Sequence, residues 1–166
     1  MPMTVPVGRR SKSRLEVLYN ATKLNESISE LAYRSFGIYS RNSMLRRKFL
    51  GAMQAEENRD YIERSIEELK RHLLASSSNV EHYVICAKNI YPRNPRELDR
   101  RLEYQSRALE ECYLIKAQLQ EIARMFNVDL TVFRDPHDLV VKEINLIKRW
   151  RKSDENRFVK KFAASQ

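Results

Sequence analysis

Residues 60–91, DYIERSIEELKRHLLASSSNVEHYVICAKNIY, are the stretch that decides the fold. Their apolar positions recur every three or four residues, from Ile62 to Ile90, which is the period of one face of an α-helix. The three serines at 76–78 favour a loop by propensity, but the apolar pattern resumes in phase beyond them. The sequence therefore predicts one unbroken helix over 60–91, which Pro92 ends because the residue before a proline disfavours the helical conformation.

The segment after Pro92 predicts a second long helix. Asn94 has a side chain that can cap a helix, and Pro95 suits the first helical position because its missing N–H has no partner there anyway. Apolar residues then recur at helical spacing as far as Phe126. We expect a helix over 96–126 that folds back on the first one.

Two further helices are predicted on either side of this pair. The first covers 14–36 and begins at the Ser-x-x-Glu capping box of Ser13 and Glu16. The second covers 136–152 and follows Asp135, which can cap it, and a proline. Long helices joined by short connections predict an all-α fold, an up-and-down antiparallel four-helix bundle.

The domain organisation follows from where the apolar period is lost. We expect a flexible basic N-terminal arm over 1–12, a helical bundle domain over 13–152 and a basic C-terminal tail over 153–166. Apolar residues at helical spacing also predict one short extra helix over 43–56.

Charge is distributed unevenly along the chain. Of the net charge of +9, four units come from residues 9–14 and five from residues 142–166, which leaves 15–141 neutral. A neutral body with basic ends indicates an electrostatic surface for a polyanion. Nucleic acid is the commonest such partner, and the alternatives are an acidic protein, an anionic lipid or ends kept basic for solubility.

Four basic clusters supply the candidate nucleic-acid-binding residues, because Lys and Arg neutralise phosphates and release counterions. They are Arg9, Arg10, Lys12, Arg14, Arg46, Arg47, Lys48, Arg100, Arg101, Lys148, Arg149, Arg151 and Lys152. For Arg100 and Arg101 the alternative is pairing with neighbouring acids. Trp150, between bases, is a candidate either for stacking on a nucleobase or for anchoring the core.

Sequence motifs for catalysis are missing from the chain. It has no phosphate-binding glycine loop, no His-Glu-x-x-His and no Cys-x-x-Cys, so we expect no enzymatic activity, no cofactor and no metal. His82 and Cys86 lie one turn apart and could share a metal. In an antiparallel hairpin, however, the candidate third ligand Cys112 lies roughly 16 Å further along, which favours a core thiol beside a histidine. Two cysteines are too few for a disulfide framework and indicate a reducing, cytoplasmic setting, and no apolar run is long enough to suggest a membrane partner.

Several stretches carry a resemblance to a known family. They are Leu31–Gly37 (LAYRSFG), Ala87–Pro95 (AKNIYPRNP), Arg100–Leu109 (RRLEYQSRAL) and Glu143–Asn156, which ends KRWRKSDEN. In these stretches the chain resembles the accessory variability determinant proteins of diversity-generating retroelements, and it is similar in plan to the bundle proteins encoded in bacterial ribosomal-RNA intervening sequences.

The resemblance implies a non-catalytic, RNA-binding accessory protein. Such proteins form homo-oligomers, pentamers in the best-known form, and bind a reverse transcriptase and its template RNA, or RNA with cDNA, during cDNA synthesis. The alternative is a helical adaptor that binds only protein, through an amphipathic groove. An all-helical nucleotide-handling enzyme would need an acidic metal cluster on an inner face, and the predicted helices show none.

Overall fold

Four long helices make up the computed structural model, which describes residues 7–39 and 59–163. The helices are α1 (Val7–Tyr33), α2 (Arg59–Asn89), α3 (Pro95–Phe126) and α4 (Arg134–Ala163). Short 3-10 turns follow α1, at Ser35–Gly37, and precede α4, at Leu130–Phe133. These described ranges contain no β-strand.

Each helix packs against two neighbours, α1 and α3 each lying against both α2 and α4. Side-chain contacts give the helix directions. Between α1 and α2, the side chain of Thr22 is hydrogen-bonded to Glu81, and that of Asn25 is hydrogen-bonded to Ser77. Positions later in α1 therefore contact positions earlier in α2, so the two helices are antiparallel. The same order holds at the other three contacts, and the predicted up-and-down antiparallel four-helix bundle is confirmed.

Helix α2 continues through its serines, as the phase of the apolar pattern predicts. Ser76 and Ser77 are buried against the bundle interior. The Ser77 hydroxyl contacts the Leu74 carbonyl oxygen at 3.0 Å and Asn25 Oδ1 of α1 at 2.8 Å. Small side chains at this position let α1 approach α2 closely, so the buried serines allow these two helices to pack against each other.

The start of α3 also agrees with its prediction. Asn94 has an extended backbone, and its Oδ1 accepts a hydrogen bond from the Glu97 amide at 3.0 Å, with Pro95 in the first helical position. Helix α1 ends at Tyr33, before the predicted end at residue 36. Gly37 lies beyond it in the 3-10 turn, with a φ of +69°, a conformation that L side chains rarely adopt.

Two predicted helix boundaries are wrong. Helix α1 begins at Val7, so residues 7–12 are helical rather than an irregular arm, and Ser13 is inside the helix instead of capping it. No proline interrupts 7–33, so helix propensity carries α1 past the point where its apolar period fades. Helix α4 runs to Ala163, so residues 153–163 are helical.

The helical extension of α4 has a packing reason. Asp154 and Phe158 are buried in it, at 2% and 0% exposure, and both attach the end of α4 to the rest of the bundle. The predicted extra helix over 43–56 lies outside the described residues.

Apolar side chains fill the interior along the whole bundle. Ile28, Leu73, Ile115 and Ile147 come from the four different helices, and all are fully buried. Buried polar groups interrupt this core at several points, among them Arg101 and Glu143. No helix within the described ranges has the length and apolar character needed to cross a membrane.

Candidate nucleic-acid interface

One half of the bundle carries most of the exposed cations that the sequence singled out. The antiparallel order brings together the first half of α1, the second half of α2, the first half of α3 and the second half of α4. We call this the basic half, defined by residues 7–20, 74–110 and 149–163. Within it, the connection between α2 and α3 carries Arg93, whose side chain is exposed.

The outer face of α4 carries a line of cations, which we call the α4 ridge. It consists of Arg149, Lys152 and Lys160, whose spacing places them on one face of the helix. All three side chains are exposed, and none forms an ion pair with another residue that the structure describes. The ridge extends about 16 Å along the helix axis, and its cations face solvent.

The other predicted residues of α4 are engaged within the protein. Arg151 is half-buried, and it donates to Ser106 Oγ at 2.6 Å and to Glu155 Oε1 at 3.2 Å. Lys148 is exposed and lies over the Tyr113 ring, 5.5 Å from its centroid. Trp150 is only 4% exposed, so of its two interpretations the core anchor is confirmed.

Arg101 is buried, and its prediction as a nucleic-acid-binding residue is wrong. The side chain is 0% exposed. Its Nε and Nη2 donate to the two carboxylate oxygens of Asp154 at 2.7 and 3.0 Å, and its Nη1 donates to the Ile90 carbonyl oxygen at 2.6 Å. Gln105 also donates to Asp154, at 2.8 Å. The prediction failed because Arg101 pairs with Asp154, which lies in the segment 153–166 that was predicted to be a tail.

Arg100, the neighbour of Arg101, points outward and belongs to a second line of residues. We call this line the α3 stripe, and it consists of Arg96, Arg100, Tyr104 and Arg107. The spacing of four, four and three residues places them on one face of α3. The Arg100 guanidinium lies 6.0 Å from the centroid of the Tyr104 ring.

Helix α2 adds an aromatic side chain beside this stripe. Tyr83 and Tyr104 have ring centroids 6.3 Å apart and planes inclined by 29°. Arg107 lies 5.9 Å from the Tyr83 ring centroid and pairs with Glu103 at 2.6 Å, and the charge of Glu103 raises the pKa of Arg107. Arg96 and Arg107 belong to the same basic cluster of the sequence as Arg100. The two tyrosines were not predicted as site residues, although the regular spacing of positions 96, 100, 104 and 107 was a usable signal.

The N-terminal candidates lie at the start of α1. Arg9, Arg10, Lys12 and Arg14 have their backbone in the first turns of this helix, which places them in the basic half. The cluster of Arg46, Arg47 and Lys48 lies outside the described residues.

A buried carboxyl group lies in the interior between α1 and α4. Glu143 is fully buried, and its Oε2 accepts a hydrogen bond from Asn20 Nδ2 at 2.7 Å, whereas Oε1 has no hydrogen-bond partner among the described residues. Burial raises the pKa of Glu143 to about 8. Burial also raises the pKa of the Cys112 thiol, and Glu143 adds to that shift.

The remaining polar constellations do not form a metal site. Cys86 Sγ lies 3.6 Å from His82 Nε2, which is a contact within one helix, and both cysteines are free thiols. Across residues 7–39 and 59–163, no group of three or more His, Cys, Asp or Glu side chains is arranged to hold a metal ion.

No known protein family, curated protein or solved structure matches this chain.

Proposed function

We propose that this chain is a non-catalytic, RNA-binding accessory protein that associates with a retroelement reverse transcriptase and supports cDNA synthesis. The observation that carries RNA binding is the α4 ridge, where Arg149, Lys152 and Lys160 face solvent without an ion-pair partner among the described residues. Cations in this state keep their full attraction for phosphates.

The geometry of the ridge favours contacts to a phosphate backbone. Its residues lie on the convex outside of a helix and include no aromatic or amide side chain placed to read a base edge. Such contacts position a nucleic acid without selecting its sequence, so binding should be sequence-tolerant and should weaken steeply with salt. The choice of RNA, and the association with a polymerase, rest on the resemblance carried by residues 31–37, 87–95, 100–109 and 143–156.

The first experiment measures RNA binding across a salt series by fluorescence anisotropy, with nuclease-treated protein. The double variant Arg149→Glu/Lys152→Glu should bind at least about tenfold more weakly, and its log–log salt slope should be shallower by about 2, because two phosphate contacts are lost. The matched control is Arg64→Glu/Arg124→Glu, which makes the same charge change at exposed positions in the other half of the bundle. Equal losses in both variants, or no loss in the first, would contradict the proposed site.

The second experiment tests the association with the polymerase. The protein is mixed with a reverse transcriptase from the same genome and its template RNA, and complex size is followed by light scattering while cDNA yield is measured. We expect a discrete complex, a homo-oligomeric accessory component and a higher cDNA yield. A monomer that neither binds the polymerase nor changes the yield would overturn this part of the proposal.

One observation favours the adaptor function as a second candidate. The end opposite the basic half exposes several large apolar side chains, among them Tyr33 at 90% and Leu130 at 63%. Large apolar side chains that are exposed in this way suit contacts with a protein partner. An adaptor would form a nuclease-insensitive complex through this end and would not bind RNA in the anisotropy experiment, so the two functions are separable.

A further inference from the structure

The α3 stripe lies on a different surface from the α4 ridge. Its residues face the side of α3 that meets α2, as the contact between Tyr104 and Tyr83 shows, whereas the ridge is on the outside of α4. The two surfaces belong to the same half of the bundle, but among the described residues no hydrogen bond, ion pair or ring contact joins one surface to the other.

Cations and aromatic rings alternate along this surface. Arg100 lies over Tyr104, Tyr104 packs beside Tyr83, and Tyr83 lies under Arg107, with successive separations of 6.0, 6.3 and 5.9 Å. Arg96 extends the line by one turn of α3. Both Arg96 and Arg100 are exposed and form no ion pair with a described residue.

The two tyrosines are held in place before any ligand arrives. Both are half-buried and pack against the apolar core, so their rings have little freedom to lose on binding. Proteins that bind single-stranded nucleic acid commonly place rigid aromatic side chains next to cations. The rings stack on the faces of the nucleobases, and the cations contact the phosphates.

We infer that the α3 stripe, together with Tyr83, binds single-stranded RNA, with Arg96 and Arg100 on phosphates and Tyr104 and Tyr83 against unpaired bases. This inference rests on the proposed function and names the class of RNA that it takes. The stripe is about 16 Å long, enough for a few nucleotides of an extended strand. A duplex hides its base faces within the stack, so it gains nothing from the tyrosines.

The test compares three fluorescent ligands of equal length and backbone chemistry: an unstructured RNA, an RNA duplex and an abasic RNA strand. Replacing Tyr104 by Leu keeps an apolar side chain but removes the ring. We expect Tyr104→Leu to weaken binding of the unstructured RNA at least about fivefold, and to leave duplex and abasic RNA within about twofold. Tyr104→Phe should retain binding because the ring is kept.

Two further variants make the result decisive. Tyr33→Leu changes a tyrosine that is 90% exposed at the other end of the bundle, and it should have no effect. Arg100→Gln removes an exposed cation and needs no repacking, so it tests the surface even where Tyr104→Leu does not fold. It should weaken binding of all three ligands.

The outcomes separate this inference from the function on which it rests. If Tyr104→Leu and Arg100→Gln both leave single-strand binding unchanged while Arg149→Glu/Lys152→Glu lowers it, RNA binding stands and the stacking surface is overturned. If the unaltered protein binds none of the three RNAs, the proposed function itself fails. Tighter binding of a poly-glutamate peptide than of RNA, lost in Arg100→Gln, would assign the surface to an acidic protein instead.

Discussion

Arg101 and Asp154, which are 53 residues apart in the chain, form a buried ion pair through two parallel hydrogen bonds of 2.7 and 3.0 Å. Arg101 also donates to the carbonyl of Ile90 at 2.6 Å, and its guanidinium lies 5.0 Å from the Trp150 ring centroid. One side chain thereby joins the end of α2, the first half of α3 and the last third of α4. The pair explains why α4 stays helical and packed where its apolar period fades.

Removing the carboxylate should destabilise the bundle strongly. Asp154→Ala leaves the Arg101 guanidinium buried without its counter-ion, and such a loss typically costs about 3–5 kcal/mol of unfolding free energy. Urea unfolding followed by circular dichroism measures the difference. Ser153→Ala, at the exposed neighbouring position, is the control and should change stability by less than about 0.5 kcal/mol. A cost below 1 kcal/mol for Asp154→Ala would mean that the pair does not hold the end of α4.

Much of the fold is predictable because it depends on local rules. The α2 helix through Ser76–Ser78 follows from the phase of its apolar residues, and the start of α3 follows from the Asn94 cap. Arg101 could not be assigned in the same way. Its partner, Asp154, is fixed by the packing of α3 on α4, and in the sequence the residue reads as one more base in a basic cluster.

The candidate site was predictable to a similar extent. Arg149 and Lys152 follow from charge clustering alone, and the structure leaves both exposed. The pairing of Tyr104 with Tyr83 depends on how α2 and α3 are placed side by side. The apolar spacing within each helix does not tell which residues of α2 lie beside which residues of α3; only the position of the turn between them constrains this. The contact between the two tyrosines is therefore visible only in the structure.

Stability should depend on pH through Glu143. Its pKa is about 8 in the folded protein against 4.5 for the ordinary group, so between these values the folded state holds a proton that the unfolded state releases. The stabilisation is therefore fully present below about pH 4.5 and is lost as the pH rises through 8. We expect unfolding free energy to fall by on the order of a few kcal/mol between pH 5 and 9.

Glu143→Gln provides the comparison for this pH dependence. Glutamine cannot ionise, so the variant should lose most of the decline in stability over the same range. Glu121→Gln, which changes an exposed carboxylate, should keep it. If the unfolding free energies of Glu143→Gln and of the unaltered protein declined in parallel with pH, the buried carboxyl group would not be the source of the pH dependence.

The two thiols should differ in reactivity. Cys112 is fully buried and its pKa is raised, so a reagent cannot reach the thiol and the thiol is not ionised. Cys86 is only partly buried. Because alkylation requires the thiolate, iodoacetamide at pH 8 should label Cys86 in the folded protein and label Cys112 only after urea is added. Mass spectrometry of peptides measures this, and Cys86→Ser should remain unlabelled when folded. Labelling of both cysteines at equal rates would place Cys112 in contact with solvent.

Two adjacent serines of α2 should respond to alanine in opposite directions. Ser77 is 0% exposed and its hydroxyl contacts Asn25 of α1 at 2.8 Å, so Ser77→Ala should cost about 1 kcal/mol by leaving the Asn25 carbonyl oxygen without that partner. Ser78 is exposed, so Ser78→Ala should stabilise the helix by a few tenths of a kcal/mol, since alanine has the higher helix propensity. Urea unfolding of both variants measures the contrast. Stabilisation by both substitutions would mean that helix propensity alone governs this stretch and that the contact of Ser77 with α1 adds nothing.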